Sequence, residues 1–153
     1  MNNNDFSMHL SAYFLKYMPT RTGYSSNTIK SYRDSWIIFL RYCKDVLGTK
    51  PEKIDFKFIN RQVVEDFLSW LEYQKKYSIS TVNLRLAALQ AFLRYVQLES
   101  LEYMDLCSSI LAIKSKKKRL QKLIIFRLKV SKLFFQCRTY TVSQDVETSQ
   151  LLH

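Results

Sequence analysis

Two clusters of small polar and basic side chains stand where helix patterns begin. The first comprises Thr28, Lys30, Ser31 and Arg33, and the second comprises Ser80, Thr81, Asn83 and Arg85. Hydroxyl, amide and cationic groups of this kind bind phosphate oxygens and the polar edges of bases. The same residue types also serve as helix caps on a solvated surface, so residue type alone leaves both interpretations open. The duplicated arrangement favours a phosphate-binding surface.

We expect no covalent chemistry from this chain, because its residues assemble no catalytic set. The two histidines, His9 and His153, lie near opposite ends of the sequence. No paired carboxylates, glycine-rich phosphate loop or metal-ligand spacing is present. Cys43, Cys107 and Cys137 are widely spaced, and the first two fall in helix patterns, where small core residues are expected. The sequence therefore predicts no catalytic residues, no metal ligands and no cofactors.

The elements that position the two clusters are predicted to be helices. Apolar residues recur at helical spacing over about 5–17, 29–47, 63–71 and 82–96, and a shorter helix is predicted over about 99–111. The predicted N-caps are Ser26 or Asn27, then Asn60, then Ser80 or Thr81. Pro19 and Gly23 predict a loop over 19–25, and Gly48 with Pro51 ends the second helix. No strand pattern appears before residue 120.

These helices predict an all-α fold, a four- to five-helix antiparallel bundle followed by a basic, irregular C-terminal tail. The chain has 153 residues, of which 47% are apolar, 14% aromatic, and only two each are Gly and Pro, which fits one compact helical domain. The predicted core residues are Trp36, Phe39, Phe67, Leu89, Phe92 and Leu93. The predicted divisions are a bundle over 1–113, a basic linker over 114–119 and a tail over 120–153.

The net charge of +11 is unevenly distributed along the chain. Residues 1–113 contain 14 Lys and Arg against 11 Asp and Glu, whereas residues 114–153 contain 10 against 2. Basicity alone would suggest nucleic acid, but here it describes the tail more than the bundle. With neither a secretory leader nor an apolar run of membrane-spanning length, we expect a cytoplasmic protein without a membrane partner.

Three stretches of the bundle carry a resemblance to a known family. They read N-T-I-K-S-Y-R-D-S-W-I-I-F-L-R-Y-C, I-N-R-Q-V-V-E-D-F-L-S-W-L-E and S-I-S-T-V-N-L-R-L-A-A-L-Q-A-F-L-R-Y-V, and I-L-A-I-K-S-K-K-K follows them. Their order and spacing resemble the core-binding, SAM-like N-terminal domain of tyrosine recombinases, the phage-integrase class of site-specific DNA recombinases. The resemblance covers about residues 6–118, and no single motif within it is diagnostic.

The resemblance implies a role in DNA integration and recombination, with double-stranded DNA and other recombinase protomers as partners. In that family two helices of this bundle approach the major groove, and here they would begin at Thr28 and Ser80. The groove contacts would come from Lys30 and Ser31, then from Ser80, Thr81, Asn83 and Arg85. The linker lysines would lie along the DNA backbone: Lys114, Lys116, Lys117 and Lys118.

The family's catalytic residues lie in a second domain, and this sequence contains no match to them. Tyr140 is the sole tyrosine after the linker and lacks an upstream H-x-x-R, so we expect no enzyme activity from this chain. If the codons from Gln136 onward are read in a frame shifted by two nucleotides, one translation that they allow is M-P-D-L-H-S-Q-P-G-R-R-D-L-A. That reading resembles the P-D…G-x-R-D-x-A opening of the catalytic domain. We therefore hypothesise a frameshifted, truncated recombinase, which the nucleotide sequence from the Lys118 codon onward would test.

The alternative takes the tail at face value. Residues 120–135 read L-Q-K-L-I-I-F-R-L-K-V-S-K-L-F-F, which is basic and amphipathic. Such a segment fits a non-catalytic interaction module or one that lies on a membrane surface. Its apolar spacing fits both a helix and a strand, so the pattern specifies neither.

Overall fold

The computed structural model describes residues 4–21 and 23–117, and these residues form helices and turns without a strand. The all-α prediction is confirmed. The elements in chain order are α1 (Asp5–Ala12), a π-helical turn (Tyr13–Tyr17), α2 (Met18–Thr20), α3 (Ser26–Asp45), a 3₁₀ turn (Pro51–Lys53), α4 (Arg61–Tyr73), α5 (Ile79–Glu99), a second 3₁₀ turn (Leu101–Tyr103) and α6 (Met104–Leu111).

One compact unit ends at Lys116, and the chain from Lys117 onward belongs to a second unit. Of that second unit only Lys117 is described. The predictions for Lys118, for Tyr140, for the amphipathic segment 120–135 and for the reading frame of the tail lie outside the described residues. The predicted divisions at 113 and 119 stay predictions.

Two serines cap the helices that carry the polar clusters, and they precede the predicted caps. The Ser25 hydroxyl accepts the Thr28 amide at 3.1 Å, and the Ser78 hydroxyl accepts the Thr81 amide at 3.3 Å. Both serines have extended backbones, with ψ of 158° and 152°, which turn the hydroxyl toward the open helix end. The predicted caps at 26 or 27 and at 80 or 81 are wrong, because those residues already lie inside the helices. The Asn60 cap is confirmed, since its side chain accepts the Val63 amide at 3.0 Å.

The first helical region continues past Pro19, where the sequence predicts a loop. The backbone stays right-handed helical from α1 through the π-helical turn Tyr13–Tyr17 into α2, and the Met18 amide donates to the Tyr13 carbonyl. Pro19 lies in the last turn of this continuous helix, which ends where Arg21 becomes extended. The predicted start of the last helix is also wrong, because α5 extends to Glu99 and the extended Ser100 (φ −143°) separates it from the turn before α6.

The core is built around aromatic rings, with Phe92 of α5 at its centre. The Phe92 ring lies 5.0 Å from Trp36, 5.4 Å from Tyr13 and 5.9 Å from Phe6, all in edge-to-face arrangements. All six predicted core residues are at least 98% buried: Trp36, Phe39, Phe67, Leu89, Phe92 and Leu93. Cys43 and Cys107 are also fully buried. The core predictions are therefore confirmed.

The segment between α3 and α4 contributes to this core. Ile54, Phe56 and Ile59 are all buried, and the Phe56 ring stacks on Tyr103 at 4.1 Å. The sequence predicts no helix between about residues 47 and 63, yet these three residues pack into the core. Phe56 and Tyr103 thus pack beyond the end of α5, far from the start of that helix.

The contacts between α3 and α5 advance in the same direction along both helices. Arg85 in the second turn of α5 lies against Ser31 and Ser35, and Phe92 further along lies against Trp36. The two helices therefore begin on the same side of the bundle, with α4 between them in the chain. Both predicted polar clusters occupy that side.

Candidate nucleic-acid interface

The starts of α3 and α5 share one hydroxyl-rich cap. In each, a serine precedes the helix and a threonine follows three residues later. The Ser25 and Thr28 hydroxyls lie 2.9 Å apart, and the Ser78 and Thr81 hydroxyls lie 3.0 Å apart. Neither helix has an acidic residue in its first turn. The partial positive charge of each helix start is therefore not neutralised locally, and it suits an anion.

α3 and α5 share their cap residues and a later F-L-R-Y segment in one register. The same spacing separates Ser25 from Ser78, Thr28 from Thr81, and the F-L-R-Y of residues 39–42 from that of residues 92–95. In both copies the Phe and Tyr are buried and the Arg is exposed. The packing of each helix thus fixes its cap at an equivalent position on the surface.

Arg85 joins the two helices. Its Nη1 donates to the Ser35 hydroxyl at 3.0 Å and to the Ser31 carbonyl at 3.4 Å. The Nε of the same side chain is buried and has no hydrogen-bond partner among the described residues. Ser35 is itself fully buried, and its hydroxyl donates to the Ser31 carbonyl at 2.8 Å. Arg85 therefore fixes the spacing of the two helix starts.

Asn83 holds the segment that follows α6. Its Nδ2 donates to the Lys116 carbonyl and its Oδ1 accepts the Lys116 amide, each at 2.8 Å. The Lys116 ammonium forms an ion pair with Glu72. Gln90, two turns further along α5, donates to the Ile113 carbonyl at 2.9 Å. Residues 113–116 consequently run back along α5 toward its start.

The remaining predicted site residues differ in how freely they face solvent. Lys30, Arg33, Ser80, Lys114 and Lys117 are exposed, and Thr28, Ser31 and Thr81 are partly exposed. Residues two positions apart in a helix differ by about 200° in direction, so Arg33 points away from Ser31 and Lys30 points away from Thr28. Lys30 is closer than Arg33 to the start of α3. The Arg33 guanidinium sits 6.0 Å from the Phe14 ring centre. The structure therefore brings Arg85 into contact with Ser31 and Asn83 into contact with Lys116. Arg33 belongs to neither pair.

Sequence reasoning missed two exposed residues near the start of α5. Leu84 is 43% exposed and lies one turn beyond Ser80 on the outward side of the helix. Leu84 lies outside the helical spacing of the buried Val82 and Leu86, and this spacing could have predicted that it is exposed. Lys76, in the turn before α5, has a left-handed backbone with φ of 55°. No pattern of residue types predicts a left-handed backbone at a lysine.

The buried thiols are not nucleophiles at neutral pH. Burial raises the pKa of Cys43 to about 12 and that of Cys107 to about 11, so both remain protonated. Within residues 4–21 and 23–117, no three His, Cys, Asp or Glu side chains come together as a metal site. Among the helices of the same residues, none is both long and apolar enough to cross a bilayer.

Comparison with known proteins identifies similar sequences. The family model described as phage integrase, N-terminal SAM-like domain, matches residues 10–102, which confirms the resemblance seen in the sequence. The relative named "Putative integrase/recombinase y4rC" from Sinorhizobium fredii is 32% identical over 108 residues, which are 71% of this chain and 32% of the relative. "Putative integrase/recombinase y4rD" from the same organism is 29% identical over 87 residues, 57% of this chain and 31% of the relative. The chain thus spans about a third of the length of these relatives. No solved structure matches it at a significant level.

Proposed function

Since this chain belongs to the family of phage integrase N-terminal SAM-like domains, we propose that it binds double-stranded DNA through the starts of α3 and α5. We call this the DNA-facing surface, and its members are Thr28, Lys30, Ser31, Ser80, Thr81 and Leu84. The observation that carries the proposal is the pair of equivalent helix starts on one side of the bundle, joined by Arg85.

The hydroxyls and the helix starts, which are capped by uncharged serines, suit DNA phosphates. Each helix start presents amides with a partial positive charge and no acidic side chain in its first turn. Lys30 adds an exposed cation beside the first helix, and Lys114 adds one in the segment that runs back along α5. Leu84 adds an apolar group of the kind that contacts thymine methyls in the major groove. The backbone contacts that the resemblance implies for Lys117 and Lys118 stay a prediction, and Lys118 lies outside the described residues.

Asn83 and Arg85 act mainly as positioning residues in this proposal. The Asn83 amide is occupied by Lys116, and the Arg85 guanidinium is partly occupied by α3. Arg85 sets the separation of the two helix starts, and Asn83 brings the linker to the second of them. Arg33 contributes at most charge, because it lies over Phe14 on another side of α3.

DNA binding by this surface would serve integration or recombination of DNA. Two relatives are named as integrase/recombinase, and each is about three times as long as the stretch it shares with this chain. We propose that the described residues bind DNA and other recombinase protomers, and that they cut no DNA strand. Incubation with supercoiled plasmid should therefore leave the plasmid intact, and nicked product that forms with the purified chain would contradict this.

The test of DNA binding is its dependence on salt. With roughly 3–6 phosphate contacts, the slope of log K against log salt should lie between about −2.7 and −5.4. The measurement is fluorescence anisotropy of a labelled duplex with the full chain between about 50 and 200 mM salt. A flat response, or no binding at the lowest salt, would overturn the proposal.

Matched variants locate the surface. The double change Lys30→Gln and Ser80→Ala should weaken binding roughly tenfold, because it removes one phosphate charge and one hydroxyl contact. Lys57→Gln removes the same charge from an exposed site next to Phe56, at the far end of α5. It should leave the affinity close to that of the unchanged chain. Equal losses from both variants would mean that the DNA-facing surface lies elsewhere.

A further inference from the structure

Two side chains of α5 hold the segment that follows α6. The Gln90 amide donates to the Ile113 carbonyl at 2.9 Å, and the Asn83 amide bonds both backbone groups of Lys116 at 2.8 Å. These two side chains lie seven residues apart in the helix and therefore on one face of it. We call residues 113–116 the strap. Its backbone is anchored to α5 without any contribution from a lysine ammonium.

The side chain of Lys116 leaves the strap toward α4. Its ammonium forms an ion pair with Glu72 and lies 5.7 Å from the centre of the Tyr73 ring. The Lys116 and Glu72 side chains are 33% and 22% exposed, whereas those of the Arg61–Glu65 pair are 50% and 40% exposed. Water and salt screen a less exposed pair less strongly, so solvent weakens the attraction between Glu72 and Lys116 less than it weakens the other pair.

Glu72 borders a long stretch of chain without carboxylates. The sequence contains no Asp or Glu from residue 73 to residue 98, a stretch that includes the turn before α5 and nearly all of that helix. Asn83 holds the strap and directly precedes Leu84, a member of the DNA-facing surface. A phosphate at this surface would therefore meet the negative charge of Glu72, and Lys116 is the cation that neutralises it.

We propose that Glu72 restrains DNA binding by keeping the Lys116 ammonium on the bundle, an inference that rests on the proposed DNA binding. One ammonium cannot fully neutralise a carboxylate and a phosphate at the same time. Lys116 therefore differs from the other linker lysines, which the resemblance places along the DNA. Because Asn83 anchors the backbone of the strap, loss of the Glu72 charge frees the Lys116 side chain without releasing the strap. Glu72 acts through Lys116 and is a positioning residue.

The experiment compares Glu72→Gln, Lys116→Gln and the double variant in the full chain. The probe is a fluorescein-labelled DNA duplex of arbitrary sequence, and its anisotropy is recorded between about 50 and 200 mM salt. Glu72→Gln should bind roughly 3- to 10-fold more tightly and steepen the salt slope by about 0.9, because it frees one cation for a phosphate. Lys116→Gln should bind more weakly, because it leaves the Glu72 carboxylate without its cation. The double variant should bind like the unchanged chain.

The matched control is Glu65→Gln. Glu65 pairs with Arg61 in the first turns of α4, whereas Glu72 lies in the last turn of the same helix, about 10 Å further along its axis. Both substitutions remove one carboxylate from an ion pair, so they change the net charge equally. Glu65→Gln should leave the affinity and the salt slope close to those of the unchanged chain. This comparison decides the proposal even if a Lys116 variant fails to fold.

Three results would overturn the inference while leaving DNA binding intact. They are an unchanged affinity in Glu72→Gln, an equal gain in Glu65→Gln, and a double variant that binds as tightly as Glu72→Gln. Hydrogen exchange over residues 113–116 should be unchanged in Glu72→Gln, and faster exchange there would mean that a loosened strap, not a freed ammonium, causes the gain. Absence of DNA binding by the unchanged chain would overturn the proposed function and this inference together.

Discussion

Asn83 uses both ends of its amide to hold the backbone of Lys116. Asn83→Ala should lower the free energy of unfolding by about 1–3 kcal/mol, because two backbone groups lose their partner. It should also accelerate hydrogen exchange over residues 114–117, which mass spectrometry of a pepsin digest reports.

The matched control for Asn83→Ala is Gln97→Ala. Gln97 is on the same helix and donates to the Ser108 hydroxyl at 3.0 Å, at a distance from the linker. This variant should leave exchange over residues 114–117 unchanged. Unchanged exchange in Asn83→Ala as well would mean that the two hydrogen bonds do not hold the linker.

Residue types predict the two polar clusters, but they do not predict what each side chain contacts. Helical periodicity places Ser31 and Arg33 on different faces, yet it does not say which face meets α5. That depends on the packing of α3 against α5, which places Arg85 beside Ser31 and leaves Arg33 over Phe14. The role of Asn83 likewise depends on where the chain returns after α6. Long-range contacts of this kind leave no local pattern in the sequence.

At the scale of elements, the cap of α3 offers a direct test of its boundary. Ser25→Ala should lower the free energy of unfolding by about 0.5–2 kcal/mol, because the Thr28 amide loses the hydroxyl that caps it. Ser26→Ala is the matched control, since Ser26 lies inside the helix and is exposed. It should change the unfolding free energy by less than about 0.5 kcal/mol. Urea denaturation measures both, and a larger loss from Ser26→Ala would place the cap where the sequence predicts it.

Long, periodic helices are well predicted, and irregular backbone is not. The stripes of α3, α4 and α5 identify these helices and the six core residues, because burial of one face requires that spacing. The π-helical turn at Tyr13–Tyr17 is not predicted, since it changes backbone hydrogen bonds without changing residue types. The caps are displaced because two serines lie at each helix start, and the backbone conformation decides which of them caps the helix.

At the scale of the whole molecule, buried acidic groups predict an alkaline loss of stability. Burial raises the pKa of Cys43 to about 12 and of Cys107 to about 11, above the ordinary 9.0. Burial, followed by the hydrogen bond to Asp5, raises the pKa of Tyr103 to about 12 from 10.0. Burial also raises the pKa values of Tyr13, Tyr32, Tyr42 and Tyr95. All these groups are held protonated, and so neutral, by the fold.

The sign of the effect follows from the raised values. The stabilisation is fully present below the ordinary pKa values and is lost as pH rises through the raised ones. The urea midpoint should therefore be constant from about pH 7 to 9 and should fall between about pH 9 and 12. Tyr103→Phe should flatten part of that fall, whereas Tyr73→Phe, at a tyrosine that is 70% exposed, should not. A midpoint independent of pH over this range would contradict the prediction.

The chain contains two tryptophans, and the fold places them in unlike surroundings. Trp36 is 2% exposed in the aromatic core, whereas Trp70 is partly exposed beneath the Lys75 ammonium, beside the turn between α4 and α5. Indole emission changes with the polarity and charge around the ring, so the unlabelled protein carries two optical reporters. The emission of Trp36 should follow unfolding of the core, and that of Trp70 should follow local changes at the turn between α4 and α5. The variant Trp70→Phe therefore isolates the signal of the core and Trp36→Phe isolates the signal of the turn, without an attached dye.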